Sequence, residues 1–262
     1  MIICGSYKDM KLLKYLVACL LNMSETKANI VARLQKEILL MQGFKSASPG
    51  NDMDIGPMKQ AFPNRVFPLG AVHEFICGGK EDAAVTSGFI AGLLGSLSKK
   101  AGVILWVSAA RTLFPPALTS FGIAPERIIF VDLSREKEIL WAMEEGLKCG
   151  ALSAVIGEIR ELDFIVSRRL QLAVEQSQVT GFIIRQHPRI LNTTACVTRW
   201  KITSLPSDKL DDLPGISYPK WNVELLKVRN GKPGTWQLEW VDGRFNPVHE
   251  FVSSQEFQKK AG

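Results

Sequence analysis

Short apolar runs alternate with longer helical patterns along the middle of the chain. Five apolar runs predict β-strands, at residues 72–77, 103–107, 128–131, 154–156 and 181–184. The stretches between them repeat apolar residues at helical spacing or are rich in small residues, and they predict helices at 82–99, 111–121, 135–147 and 164–176. Alternation at this spacing is typical of a mainly parallel sheet with helices on its faces.

The pattern changes after residue 190. Three further runs, 196–202, 222–228 and 235–240, predict strands without helices between them. Tight turns are expected at Asn230-Gly231 and Asp242-Gly243, dipeptides that favour the positive φ angles of short hairpins. We therefore expect an antiparallel extension at the C-terminal side of the parallel sheet.

An amphipathic helix is predicted ahead of the sheet, because Ile30, Val31, Leu34 and Ile38 recur at helical spacing. Before it, the apolar run 15–21 is far shorter than the ~20 residues that span a bilayer. Met23 is the simpler start of the chain, so residues 1–22 read as an extension or a misassigned start. The predicted organisation is 1–22 extension, 23–45 N-terminal helix, 46–60 linker, 61–246 main α/β domain and 247–262 tail.

Composition and charge exclude several classes but identify none. Hydrophobic residues make up 46% and charged residues 22% of 262, which excludes disordered, collagen-like and disulfide-scaffold proteins. Residues 1–45 carry +4 of the net charge of +6, so the total charge is weak support for nucleic-acid binding. The five cysteines and three histidines are scattered, which predicts neither a zinc site nor disulfides and favours a reducing cytoplasm.

The turn after the first strand is where a phosphate-binding loop would lie, and its sequence is degenerate. It reads Cys77-Gly78-Gly79-Lys80-Glu81-Asp82-Ala83-Ala84 and fails the pattern G-x-x-x-x-G-K-[ST] in both registers. If Gly79-Lys80 is the G-K pair, Glu74 replaces the first glycine and Glu81 the hydroxyl. If the loop starts directly after the strand, it closes on Asp82, Ala83 and Ala84, and the nearby carboxylates repel a triphosphate.

Glu158, at the end of the fourth strand, stands where a phosphate-loop enzyme has its metal-associated acid. A carboxylate there is equally common as a helix N-terminal residue. Local motifs of other hydrolases are missing from the sequence, so it predicts no catalytic residue and no metal ligand.

Several longer phrases of the chain resemble the ImuA family, the RecA-like proteins of bacterial SOS mutagenesis cassettes. The phrases are 34–44 (LQKEILLMQGF), 61–64 (AFPN), 67–75 (FPLGAVHEF), 111–118 (RTLFPPAL), 157–162 (GEIREL), 167–177 (SRRLQLAVEQS) and 225–234 (LLKVRNGKPG). The resemblance covers roughly residues 27 to 247. It implies an α/β fold with a RecA-like, mainly parallel sheet flanked by helices, together with the antiparallel C-terminal extension and the N-terminal helix.

The resemblance also implies a function. The family acts in damage-induced translesion DNA synthesis with ImuB, a relative of the Y-family polymerases, and with an error-prone replicative-type polymerase. We therefore expect a non-catalytic accessory protein that bridges ImuB, this polymerase and DNA, with no cofactor and no membrane attachment. Two alternatives stay open: an ATPase that uses Glu158, Gln186 and Lys80 in an unorthodox site, and a SulA-type inhibitor of cell division.

Four functional positions of RecA can be carried over to this chain, and two of them keep suitable side chains. The phosphate loop falls on 77–84, the water-activating acid near Ala109, the acid of the next motif on Glu158 and the phosphate-sensing glutamine on Gln186. Only the last two keep suitable chemistry, so the resemblance implies a fold that has lost ATP hydrolysis. The stretches 158–164 and 187–194 are short substitutes for the two DNA-binding loops.

Basic residues near these short loops are candidate contacts to DNA or a partner. They are Arg160, Arg168, Arg169, Arg185, Arg189, Arg199 and Lys201. We favour a solvated helix face for Arg168 and Arg169 and a core position for Trp200. In the alternative, these groups converge, and Trp200 stacks on a base while the arginines hold phosphates. A second basic group, Lys227, Arg229 and Lys232, is predicted at a hairpin, where it would contact DNA or a polymerase subunit.

Overall fold

The computed structural model describes residues 27–41, 53–98, 102–110, 113–206 and 218–248. The chain divides into two compact units, residues 1–42 and 43–262. In the first unit, helix α1 spans Lys27–Met41, and its apolar residues recur at helical spacing. The expected start at Met23, the extension before it and the tail beyond residue 248 lie outside the described residues.

The second unit is built on one nine-stranded sheet with the order β3-β2-β4-β5-β1-β6-β7-β8-β9. The strands are β1 (Val72–Cys77), β2 (Val103–Ser108), β3 (Ile128–Asp132), β4 (Leu152–Ile159), β5 (Thr180–Gln186), β6 (Thr198–Ser204), β7 (Lys220–Val228), β8 (Gly234–Val241) and β9 (Arg244–Pro247). Strands β3 to β6 in this order pair in parallel, and β6 to β9 pair antiparallel. The predicted parallel sheet with an antiparallel extension is therefore confirmed.

Helices cover both faces of the parallel part. They are α2 (Lys80–Ser98), α3 (Glu136–Lys148) and α4 (Phe164–Ser177). The α2 face holds aromatic side chains, among them Phe75, Trp106 and Trp200. The opposite face, under α3 and α4, is packed with aliphatic residues such as Val155 and Ile183. Because successive strand residues point to opposite faces, each strand divides its side chains between these two cores.

The contact between α3 and β4 is unusually close. A Cβ atom added to Gly157 would lie 1.9 Å from the sulfur of Met143, so only glycine fits there without displacement. The helix α4 begins at an ordinary cap, since the Asp163 Oδ1 atom accepts a hydrogen bond from the backbone N–H of Val166 at 2.7 Å.

Three parts of the described chain differ from the sequence-based expectation. The predicted linker 46–60 is core from Met53 onward, because Met53, Ile55 and Met58 are buried and a 3₁₀ helix spans Gly56–Ala61. The helix expected at 111–121 is described only as a 3₁₀ helix, Pro115–Phe121, which begins at the proline pair. Strand β9 was not predicted.

Within the described residues, no helix is long and apolar enough to cross a membrane. Cys77, Cys149 and Cys196 are free thiols, and no group of three or more potential metal ligands is found in this part of the chain.

Candidate functional site

The turn between β1 and α2 is too short for a phosphate-binding loop. Strand β1 ends at Cys77 and α2 begins at Lys80, so only Gly78 and Gly79 lie between them. The backbone N–H of Gly78 donates to the Asp82 Oδ2 atom at 2.9 Å. A carboxylate of the chain itself thus occupies the helix N-terminus, where backbone N–H groups would otherwise attract a phosphate.

The other side chains of this turn do not form a cradle. Lys80, Glu81 and Ala84 are exposed, while Gly79 and Ala83 are half-buried. The Cys77 thiol is buried and contacts the Thr86 hydroxyl at 3.4 Å, and burial raises the pKa of this thiol to about 11. The turn expected to be a degenerate loop is thus occupied by a side chain of its own, because the Asp82 carboxylate accepts a hydrogen bond from the backbone of Gly78.

Glu158 and Gln186, the two retained positions, are in direct contact. The Gln186 Nε2 atom donates to Glu158 Oε2 at 2.7 Å, and the Trp106 Nε1 atom donates to Oε1 at 2.7 Å. Burial raises the pKa of the Glu158 carboxyl, against the effect of the two hydrogen bonds. Sequence reasoning missed Trp106, although an indole in a buried strand must find an acceptor for its N–H.

A cleft of about 290 Å³ lies beside this pair, at the carboxyl ends of β2 and β4. Its lining includes Ala109, Glu136 and Arg160. Ala109 stands where the resemblance places the water-activating acid, and it brings no carboxylate to the cleft. The one further carboxylate of the lining, Glu136, accepts a hydrogen bond from the backbone N–H of Arg160.

A buried charge cluster occupies the opposite face of the sheet. Glu74, in the middle of β1, is fully buried, and its carboxylate accepts from Arg185 Nη1 at 2.8 Å, Arg199 Nε at 2.9 Å and Thr194 Oγ1 at 2.8 Å. Burial of an ionised carboxylate requires such partners. Arg185 is itself completely buried, which removes it from any contact with DNA in this structure.

Four of the predicted DNA or partner contacts instead hold the backbone of residues 189–195, which we term the clamped segment. Arg185 Nη2 donates to the carbonyl of Ile190 at 3.0 Å, Arg199 Nη2 to that of Asn192 at 2.5 Å, Lys227 Nζ to that of Thr194 at 2.7 Å, and Arg229 Nη2 to that of Ala195 at 2.9 Å. The two basic groups seen in the sequence therefore converge on one segment. Charge-assisted hydrogen bonds of this kind fix a backbone strongly.

The remaining basic candidates have different surroundings. Arg168 pairs with Glu175, Arg169 with Glu144 and Lys201 with Glu224. The basic side chain of each pair is exposed, and ion pairs at the surface contribute little to stability. The side chains of Arg160, Arg189 and Lys232 are exposed and form no hydrogen bond or ion pair with the described part of the chain. Trp200 is 1% exposed and packs against Phe75 and Phe89, so it belongs to the core as favoured from the sequence.

The strand order, the helices on both faces and the glycine turn after β1 define an α/β protein with a RecA-like sheet, in which Asp82 closes that turn. Comparison with known proteins gives the family. The chain is 33% identical over 202 residues to protein ImuA of Caulobacter vibrioides, with the same values in two strains, and the match covers 72% of this chain and 82% of the relative. The chain therefore belongs to the ImuA family.

No protein-family model matches the chain. Among solved structures, the RadB recombinase is similar with a TM-score of 0.48 at 15% sequence identity, over 69% of this chain and 92% of that one.

Proposed function

We propose that this chain is a non-catalytic RecA-like accessory protein of SOS-induced, error-prone translesion DNA synthesis. It acts as an adaptor between ImuB, an error-prone replicative-type polymerase and DNA. Membership of the ImuA family supports the pathway. The hydrogen bond between Asp82 and the backbone of Gly78 carries the non-catalytic part of the proposal.

Phosphoryl transfer needs a cradle for the phosphates, a cation next to them and a group that positions the nucleophile. Asp82 occupies the cradle, and the position of the nucleophile-activating acid holds Ala109. A bound triphosphate would displace the Asp82 carboxylate or lie beside it. Two like unit charges about 4 Å apart repel by about 4 kcal/mol at an effective dielectric constant of about 20.

Two measurements test the proposal. Titration calorimetry with ATP and Mg²⁺ should detect no binding, because the Asp82 carboxylate already binds the backbone of the turn and repels a triphosphate. Affinity purification of the full chain should retain ImuB from the same organism, with and without single-stranded DNA. Failure to retain ImuB or the polymerase under both conditions would refute the adaptor role.

The ATPase alternative keeps one observation in its favour, the hydrogen-bonded pair of Glu158 and Gln186. It predicts ATP turnover that both Lys80→Ala and Glu158→Gln abolish. The exposed Lys137→Ala, on α3, is the control for a nonspecific loss of charge. Turnover that only the first two variants remove would replace the proposal by this alternative.

A further inference from the structure

Four large apolar side chains are exposed at the end of the sheet where β4 and β5 terminate. Ile190 and Leu191, in the clamped segment, are 65% and 53% exposed. Phe164 and Ile165, in the first turn of α4, are 54% and 72% exposed. Single exposed apolar residues need no explanation, but a group of four on adjoining segments is typical of an interaction site.

The two segments are joined by hydrogen bonds. Glu161 accepts from the backbone N–H of Arg189 at 2.9 Å and from Arg185 Nη2 at 3.4 Å. The Ser167 hydroxyl accepts from the backbone N–H of Ala195 at 2.9 Å and donates to the carbonyl of Phe164 at 2.9 Å. The apolar residues and the flanking Arg160 and Arg189 therefore form one surface, which we term the display surface.

The backbone beneath this surface is fixed before any partner arrives. Four cationic side chains bind alternate or adjacent carbonyls of the clamped segment, and the buried Glu74 carboxylate holds two of those cations. A loop that only joins β5 to β6 would not need four cationic side chains to hold its backbone. A binding element gains from these hydrogen bonds, because a preordered segment loses less conformational entropy when a partner binds.

The charge around the apolar residues is positive. The side chains of Arg160 and Arg189 are exposed and have no partner in the described part of the chain. Carboxylates that accept hydrogen bonds keep their charge, and the described residues of this region include four of them, Glu74, Glu136, Glu161 and Asp163. They are outnumbered by the six cations of the surface and of the clamp, which are Arg160, Arg185, Arg189, Arg199, Lys227 and Arg229. The surface therefore complements a partner that combines apolar groups with negative charge.

Single-stranded DNA and an acidic protein segment both have that combination, and the side-chain types distinguish them. Binding of single strands relies on aromatic side chains that stack on successive bases, together with several cations. The display surface has one aromatic residue, Phe164, and three aliphatic ones, Ile165, Ile190 and Leu191. Aliphatic side chains in a polar rim are typical of protein interfaces.

We infer that the display surface docks a segment of a partner protein that carries aliphatic side chains flanked by carboxylates. This inference rests on the proposed adaptor function and assigns the protein-binding part of it to residues 160–165 and 189–191. The arginines orient the segment through its carboxylates, and the aliphatic side chains supply the buried area.

The test measures the affinity of the full chain for purified ImuB and, separately, for the replicative-type polymerase and a single-stranded oligonucleotide. The Ile190→Ser, Leu191→Ser double variant should weaken binding to one of the two proteins at least about tenfold, as for residues at the centre of an interface. Arg189→Glu should weaken it as well. Trp141→Ser, which alters an equally exposed residue of α3 outside this surface, should leave the affinity unchanged.

Circular dichroism and urea unfolding of each variant exclude misfolding, because the substituted side chains are exposed. If the wild-type chain binds a partner and the double variant binds equally well, the display surface is wrong but the adaptor function stands. Selective loss of oligonucleotide binding would also overturn the inference. Absence of binding by the wild-type chain to either protein would overturn the adaptor function and the inference together.

Discussion

Acidification should destabilise the main domain through His73, a fully buried residue of β1. Its Nε2 atom lies 2.9 Å from the carbonyl of Pro68, and its Nδ1 atom lies 2.8 Å from the Thr198 hydroxyl. Because a carbonyl only accepts, Nε2 carries the proton and Nδ1 accepts from the hydroxyl. The ring stacks between Phe67 and Phe182, with centroids at 4.4 and 5.5 Å. The site therefore suits a neutral imidazole.

The magnitude follows from the pKa values of the two states. Burial lowers the pKa of His73 to about 3 in the folded protein, against 6.5 when unfolded. The neutral His73 ring makes its full contribution to the free energy of unfolding above about pH 6.5. This contribution is lost progressively as the pH falls towards 3, because in that range only the unfolded state takes up a proton on this residue. Each pH unit in that window removes about 1.4 kcal/mol, or about 2 kcal/mol between pH 7.5 and 5.0.

Urea unfolding at pH 7.5 and 5.0 measures this effect. The wild-type chain and His73→Gln share every other titrating group, so the difference between their pH dependences isolates His73. We expect His73→Gln to be less stable at both pH values but to lose about 2 kcal/mol less on acidification. Equal pH dependence of wild type and His73→Gln would refute the assignment of a neutral buried ring.

Three further variants test the sites described above. Asp82→Ala should lower the free energy of unfolding by about 1 kcal/mol through loss of the cap on the glycine turn and should still bind no ATP in calorimetry, with Glu81→Ala as the exposed control. Glu74→Gln should lower the free energy of unfolding by about 3 to 5 kcal/mol, because Arg185 and Arg199 lose their buried counter-charge. It should also increase amide hydrogen exchange in the clamped segment. Gly157→Ala should cost about 1 to 3 kcal/mol in thermal or urea unfolding, whereas Gly150→Ala, whose nearest neighbour would lie 4.0 Å away, should be nearly neutral.

Most strands of the fold could be predicted from the sequence, because runs of apolar residues mark the segments that are buried in the sheet. The run at 72–77 matches β1 at both ends, since every residue of that strand is buried. Strand β4 is longer than the predicted 154–156, because Leu152 pairs with Val103 across a register irregularity and the polar Glu158 pairs with Ile184, both outside the predicted apolar run. The linker prediction failed because the polar residues around Pro49 and Gly50 concealed the apolar ones that follow.

The candidate site was predictable only in part. The degenerate loop is a local feature, so its departure from the pattern G-x-x-x-x-G-K-[ST] in both registers is visible in the sequence. The clamp is not local, because Lys227 and Arg229 bind carbonyls more than thirty residues earlier. One signal was present: Glu74 interrupts an otherwise buried apolar strand, and a charge at such a position requires a cation partner.

The clamp also ties the order of chain synthesis to the appearance of the display surface. Arg185 precedes the clamped segment and Arg199 follows it closely, but Lys227 and Arg229 belong to β7 and its turn and leave the ribosome later. A nascent or truncated chain that ends before β7 lacks half of the four side chains that hold the segment. The exposed aliphatic residues therefore reach their final arrangement only after the antiparallel extension has joined the sheet, so that incomplete chains do not present the finished surface.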